Sequence, residues 1–151
     1  IPKVPWITSE VWAMPSVIIM SVWKSLGYNI ILFLAGLQAI PNDYYEAAKV
    51  DGASAFRRFW DITLPLLSPT TFLIVVLSII ASFQVFEQTY ILTGGGPANS
   101  TLTLVLMIFY RGFQDFRMGY ASAIAYVLFL MVFIVTMIQW RLQKRWVHYG
   151  A

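Results

Sequence analysis

Seven of the seventeen charged residues fall within nineteen positions: Asp43, Glu46, Lys49, Asp51, Arg57, Arg58 and Asp61. Side chains of both signs, interleaved with the small residues Ala47, Ala48 and Gly52, can dock a partner through ion pairs and close backbone approach. They do not match the common catalytic constellations. The chain has no cysteine, hence no disulfide framework and no thiolate metal site. Its one histidine, His148, lies near the C-terminal end, which argues against a histidine metal cage or a Ser/His/Asp triad.

A second group of polar residues interrupts long apolar runs. Ser78, Ser82, Gln84 and Glu87 recur at spacings of four, two and three, loosely on one side of a helix. With Phe83, Phe86 and Tyr90 nearby, they combine the hydrogen-bonding groups and aromatic faces that a hydroxyl-rich solute requires. Helix packing through Ser78, Ala81 and Ser82 accounts for part of the same pattern without any solute. Lys24 is open in the same way. It can snorkel to the near interface beside Trp23, or face a polar path with Tyr28 and Asn29. Glu87 reads either as part of the polar face it shares with Ser78, Ser82 and Gln84 or as an acid at the far interface. Gly94, Gly95, Gly96 and Pro97, inside the stretch Thr93–Ser100, have the composition of a turn. They lack the following Lys-Ser/Thr and the preceding strand of a phosphate-cradling loop.

The elements that must position these groups are membrane helices. Hydrophobic residues make up 59% of the 151 and charged residues 11%, against about 25% charged in a soluble domain. Aromatic residues at 17%, with six Trp and eight Tyr, suit membrane interfaces. About twenty apolar residues cross a bilayer, and three segments qualify: about 15–38, 69–92 and 119–140. Lys24 falls about 13 Å along the first from Pro15, and Glu87 about 27 Å along the second from Pro69. Between the first two, Asn42 or Asp43 is expected to cap a short amphipathic helix over Tyr44–Val50. Gly52 permits a bend, and Ser54 caps a second short helix from Ala55 to Asp61. Pro65 and Pro69 punctuate the approach to the next span. Thr101–Tyr110 is too short to cross and reads as an interfacial helix ended by Arg111-Gly112.

With three spans, the charged loop and the C-terminal tail share a side. That side holds Lys49, Arg57, Arg58, Arg141, Lys144 and Arg145, six of the ten basic residues, against Lys3, Arg111 and Arg117 opposite. The positive-inside rule makes the loop cytoplasmic and the glycine-rich loop external. The opening Ile1-Pro2-Lys3 is unlike a signal peptide and is expected to be an internal cut in a longer protein.

Glu46, Ala47, Ala48, Gly52, Ile62, Leu64 and Pro65 satisfy E-A-A-x3-G-x9-I-x-L-P, seven fixed residues across twenty positions. The loop thereby resembles the EAA motif of permease subunits of bacterial binding-protein-dependent ABC importers. Ala35–Pro41, Asp51-Gly52-Ala53, Thr93–Pro97 and Met118–Ala123 are similar to the carbohydrate branch of that family, so the likeness covers nearly the whole chain. Phe86-Glu87 departs from the Phe-Asp of that branch and keeps the charge.

The resemblance implies an all-α, polytopic membrane protein with the helical ABC importer permease fold. Three spans, a cytoplasmic coupling helix and a short extracytoplasmic helix would form the C-terminal part of one transmembrane domain, residues 1–151. It implies that Glu46, Ala47, Ala48, Asp51, Gly52, Ile62, Leu64 and Pro65 couple to a cytoplasmic ATPase dimer. Further implied partners are a second permease subunit, the lipid bilayer and an extracytoplasmic solute-binding protein met by Gly94, Gly95, Gly96 and Pro97; no nucleic acid is expected. Tyr28, Asn29, Ser78, Ser82, Gln84 and Glu87 become candidates for a sugar pathway in the inner membrane. No cofactor or catalysis is expected on this chain, because it has no Walker motif and ATP would be hydrolysed elsewhere. Two competing readings are an intramembrane hydrolase or lipid-modifying enzyme, and a membrane anchor or assembly protein whose loop recruits a non-ATPase partner. The first lacks paired intramembrane acids or a histidine.

Overall fold

A computed structural model of the chain describes residues 5–144 and 147. Lys3 and Arg145, two of the basic residues weighed for sidedness, and His148 lie outside the described residues. Every regular element among the described residues is helical: α1 Ala13–Gln38, α2 Asn42–Val50, α3 Ala55–Arg58, α4 Leu64–Phe83, α5 Glu87–Leu92, α6 Leu104–Phe109 and α7 Met118–Gln143. π-helical turns at Phe59–Thr63 and Tyr110–Gln114 follow α3 and α6. Three stretches are long and apolar enough to cross a membrane: Ala13–Gln38, Ala55–Phe83 and Met118–Gln143, of 26, 29 and 26 residues. Twenty-six residues at 1.5 Å each reach about 39 Å, beyond the roughly 30 Å of a hydrocarbon core.

The second of these stretches differs from its sequence reading at both ends. Helix–bend–helix followed by a proline-marked boundary was expected; instead α3, the π turn and α4 form one continuous helix with Pro65 and Pro69 inside it. A proline removes one backbone donor and crowds the carbonyl four residues back. The π turn, in which the Leu64 N–H reaches the Phe59 carbonyl, widens the helix just before Pro65. At Pro69 the lost bond is replaced: the Ser68 hydroxyl donates to the Pro65 carbonyl at 2.6 Å. At the other end the helix stops at Phe83 instead of running to residue 92. Phe86 leaves the helical region at φ −129°, ψ −60°, and α5 begins at Glu87. Thr103 donates to the Val85 carbonyl at 2.8 Å, satisfying an acceptor that the break exposes.

The apolar run after the glycine loop also differs from its expected bounds. Thr103 caps α6 by accepting from the Leu106 N–H, and the helix continues past Arg111-Gly112 to Gln114. Gly112 does not end it. A Cβ there would lie 3.3 Å from that of Ala121, so Gly112 lets the turn pack against the start of α7. The turn closes instead at Phe116, φ 55°, where the Arg117 N–H reaches the Arg111 carbonyl at 2.8 Å.

The chain packs as two compact units, Ile1–Leu26 with Ile79–Thr136, and Gly27–Ser78 with Met137–Ala151. In the first, Thr89, Thr101 and Leu106 are fully buried, and Ala13, Val17 and Ala121 are buried as well. Phe86 stacks on Tyr90 at 5.4 Å and 13°, and both rings meet the edge of Phe109. In the second, Ile40, Thr63, Leu67, Ser68, Phe72 and Ile74 are buried. The apolar windows of α1 and α7 are only 6% buried, against 22% for Ala55–Phe83, so most of their Ile, Leu, Phe and Trp surface faces outward. Hydrocarbon is the solvent in which such faces are stable, and helices satisfy their own backbone within it.

Candidate functional site

The charged loop is built around α2. Pro41, at φ −60° and ψ 135°, separates α1 from α2 and occupies the N-cap position. The expected cap by Asn42 or Asp43 is not made: the helix begins at Asn42 and not at Tyr44, so both lie within its first turn. Asp43 there and Lys49 in the last turn each complement the helix dipole. Tyr45 and Ala48 turn inward and are half-buried, whereas Glu46, Ala47 and Val50 are exposed, Val50 at 88%. Glu46 has no ion-pair partner among the described residues. A free carboxylate, a small residue and a bare apolar side chain thus share one open surface.

Gly52 ends α2 in the left-handed region, φ 72°. The Gly52 N–H bonds the Lys49 carbonyl at 3.0 Å and the Ala53 N–H bonds that of Ala48 at 2.9 Å. This is the paired closure of a Schellman motif, which favours glycine at this position. Nothing lies within 4 Å of where a Gly52 Cβ would stand, so conformation, and not crowding, sets the requirement. Ser54 then accepts from the Arg57 N–H at 3.3 Å, as its expected capping role requires. Asp51 caps the C-terminal end of α2, while Ile62, Leu64 and Pro65 fall on the continuous helix.

How α2 meets that helix depends on a contact that no local spacing announces. The Tyr45 hydroxyl lies 3.0 Å from the Thr63 hydroxyl, across eighteen residues of sequence. Both residues also line an open cleft of about 390 Å³, with Asn42, Lys49, Arg58 and Phe59 among its other walls.

The candidate pathway residues are distributed between the two units. Tyr28, Asn29 and Ser78 belong to one; Ser82, Gln84 and Glu87 belong to the other. Ser82 donates to its own helix at the Ile79 carbonyl, 2.7 Å away. Gln84 is exposed in the break after α4. Glu87 pairs with Lys24, which connects two residues that sequence reading had treated separately. The glycine loop is an ordered turn. Thr101 donates to the Gly96 carbonyl at 2.8 Å and lies 2.6 Å from the Thr93 hydroxyl, while Tyr110 donates to the Gly94 carbonyl at 3.0 Å. Gly94 and Gly95 take φ of 57° and 86°.

Residues 4–148 match the family model described as binding-protein-dependent transport system inner membrane component. The chain belongs to this family. Within it, the chain is 42% identical over 151 residues to the probable ABC transporter permease protein YesP of Bacillus subtilis, covering 99% of this chain and 48% of that protein. It is 45% identical over 139 residues to the sn-glycerol-3-phosphate transport system permease protein UgpA of Agrobacterium fabrum, 91% of this chain and 47% of that one. Among solved structures, a chain of a bacterial alginate ABC transporter, in complex with an alginate pentasaccharide-bound periplasmic protein, superposes with a TM-score of 0.83 and 26% identity. That match covers 100% of this chain and 53% of the other. The chain therefore spans about half the length of the relatives it matches, and as a family member it is a component of the inner membrane.

Proposed function

We propose that the chain is part of the permease of an ATP-driven importer that carries a sugar or sugar-like solute across the inner membrane by alternating access. The observation that carries this is the α2 loop: a short helix with Glu46, Ala47 and Val50 on its open face, closed by the Gly52 Schellman turn and followed directly by a membrane-length helix. Such a platform can seat in a groove of a cytoplasmic ATPase subunit, where Glu46 meets a basic residue. Closure of an ATPase pair would move the loops of two permease chains and rock their spans between inward- and outward-open states. The ordered glycine loop, placed outside by the basic-residue count, offers the contact for a loaded binding protein.

Support for the solute class comes from the relatives' glycerol phosphate and alginate and from this chain's own free polar groups. Among the described residues, Tyr28, Asn29, Ser78 and Gln84 make no side-chain hydrogen bond, which leaves their donors and acceptors open to hydroxyl groups. The test uses the full-length permease, its partner permease, the ATPase and the binding protein. Glu46→Lys should abolish co-purification of the ATPase and uptake while membrane insertion persists. Normal ATPase capture and uptake by this variant would defeat the docking role.

A further inference from the structure

Movement at a docking helix is useful only if it reaches the membrane. The covalent route from α2 to the next helix runs through Gly52, the residue with the greatest backbone freedom and no atom within 4 Å of its would-be side chain. Beyond it, the Arg57–Asp61 pair joins two exposed side chains of one helical segment, a link within that segment and not one to α2. The helix that receives the motion contains its own irregular joint, the π turn Phe59–Thr63 immediately before Leu64-Pro65.

One lateral contact bridges both weak points. Tyr45 stands next to Glu46 on α2, and its hydroxyl meets the buried Thr63 at 3.0 Å. Thr63 is the last residue of the π turn, and its hydroxyl also faces the Arg58 carbonyl at 3.5 Å, at the start of that turn. If Tyr45 donates to Thr63 and Thr63 donates to Arg58, every proton in the chain has an acceptor. Low exposure at Thr63 strengthens such a linkage and makes an unpaired hydroxyl there costly.

We infer that the Tyr45–Thr63 hydroxyl pair is the strut that carries displacement of α2 into the membrane helix, bypassing the Gly52 bend. Both are positioning residues: neither is required to touch the ATPase or the solute. The inference rests on the docking role proposed above for α2.

The strut is tested in the complete transporter in sealed vesicles, reading solute imported per ATP hydrolysed alongside ATPase capture. Tyr45→Phe and Thr63→Val each delete a hydroxyl with little change of volume. Each should lower the solute-to-ATP ratio by about threefold to tenfold, the scale of one hydrogen bond, with capture unchanged. The double variant should be no worse than the poorer single, because both delete the same interaction. Thr63→Ser, which keeps the hydroxyl, should restore the ratio. An unchanged ratio, additive losses, or loss of ATPase capture in the single variants overturns the strut. Glu46→Lys separates the two readings: a wild-type ratio in Tyr45→Phe while Glu46→Lys abolishes capture sinks the strut alone. Intact capture in Glu46→Lys sinks the docking role, and the Tyr45→Phe ratio still decides the strut.

Discussion

Thr70 fills the space in which a side chain on Gly36 would stand. A Cβ on Gly36 would lie 2.5 Å from Thr70 Oγ1, 2.7 Å from its Cγ2 and 2.9 Å from its Cβ. All three atoms belong to one β-branched side chain, so no single rotation of Thr70 clears them. The C-terminal end of α1 and the proline-containing part of α4 therefore approach as closely as glycine allows, on either side of the charged loop in the sequence. Gly36→Ala should destabilise the protein by about 1–3 kcal/mol through overpacking. Thr70→Ala added to it should recover part of the loss, since two of the three clashing atoms go. Thermal unfolding of the purified full-length complex checks both, and a wild-type midpoint for Gly36→Ala would refute the contact.

Gly52 presents the opposite case, with φ 72° and empty space around it. Substitution there should follow backbone conformation and not side-chain size. Gly52→Ala should cost about 1–2 kcal/mol for holding an L-residue in the left-handed region, Gly52→Asn less, and Gly52→Val more than either. Hydrogen exchange at the Ala53 amide, which closes the turn onto Ala48, reports the loss directly. A ranking by volume alone, with alanine harmless, would contradict the conformational reading.

These two glycines also mark what could be read in advance. Gly52 and Ser54 act through neighbours within a few positions, and the motif spacing around them was visible in the chain. So were the three spans, because a run of apolar residues long enough to cross a bilayer needs no tertiary information. Gly36 looked like any other residue of an apolar run, since its reason, Thr70, lies on another helix. The same holds for the break after Phe83. The local residues Gln84-Val85-Phe86 carry no glycine or proline, and the interruption is secured by Thr103 and Phe109 from a later segment. Pro65 and Pro69 misled in the other direction. They announce a boundary locally, yet a π turn and the Ser68 hydroxyl absorb them within one helix. Of the site, the residue types and the open face of α2 follow from helical periodicity; the Tyr45–Thr63 contact does not.

The glycine loop depends on two hydroxyls. Thr101 is fully buried, donates to the Gly96 carbonyl and meets the Thr93 hydroxyl. Thr101→Val keeps the shape but leaves the Gly96 carbonyl without its donor and the Thr93 hydroxyl without its partner, at a cost of about 1–3 kcal/mol. Thr101→Ser should retain most of the stability. Limited proteolysis or hydrogen exchange across Gly94–Ser100 should show faster opening in Thr101→Val and near-normal protection in Thr101→Ser. Equal protection in both variants would mean that the backbone alone holds the turn.

Lys24 and Glu87 form an ion pair between α1 and the first residue of α5, on the segment that follows the helix break. Both side chains are more than half exposed in this chain, at 56% and 68%, so the pair gains little from enclosure by protein. Its importance lies in neutralising two charges beside apolar helices, where a lone charge is costly, and in tying α5 to α1. Lys24→Met and Glu87→Gln should each reduce uptake several-fold by leaving the other charge without its partner. The exchanged pair, Lys24→Glu with Glu87→Lys, keeps the attraction and should recover most of the uptake. Transport assays in vesicles distinguish the pair from its members. If the exchange is as defective as the single variants, the individual charges matter in their own positions, and Glu87 is then better understood as a direct solute contact than as the partner of Lys24.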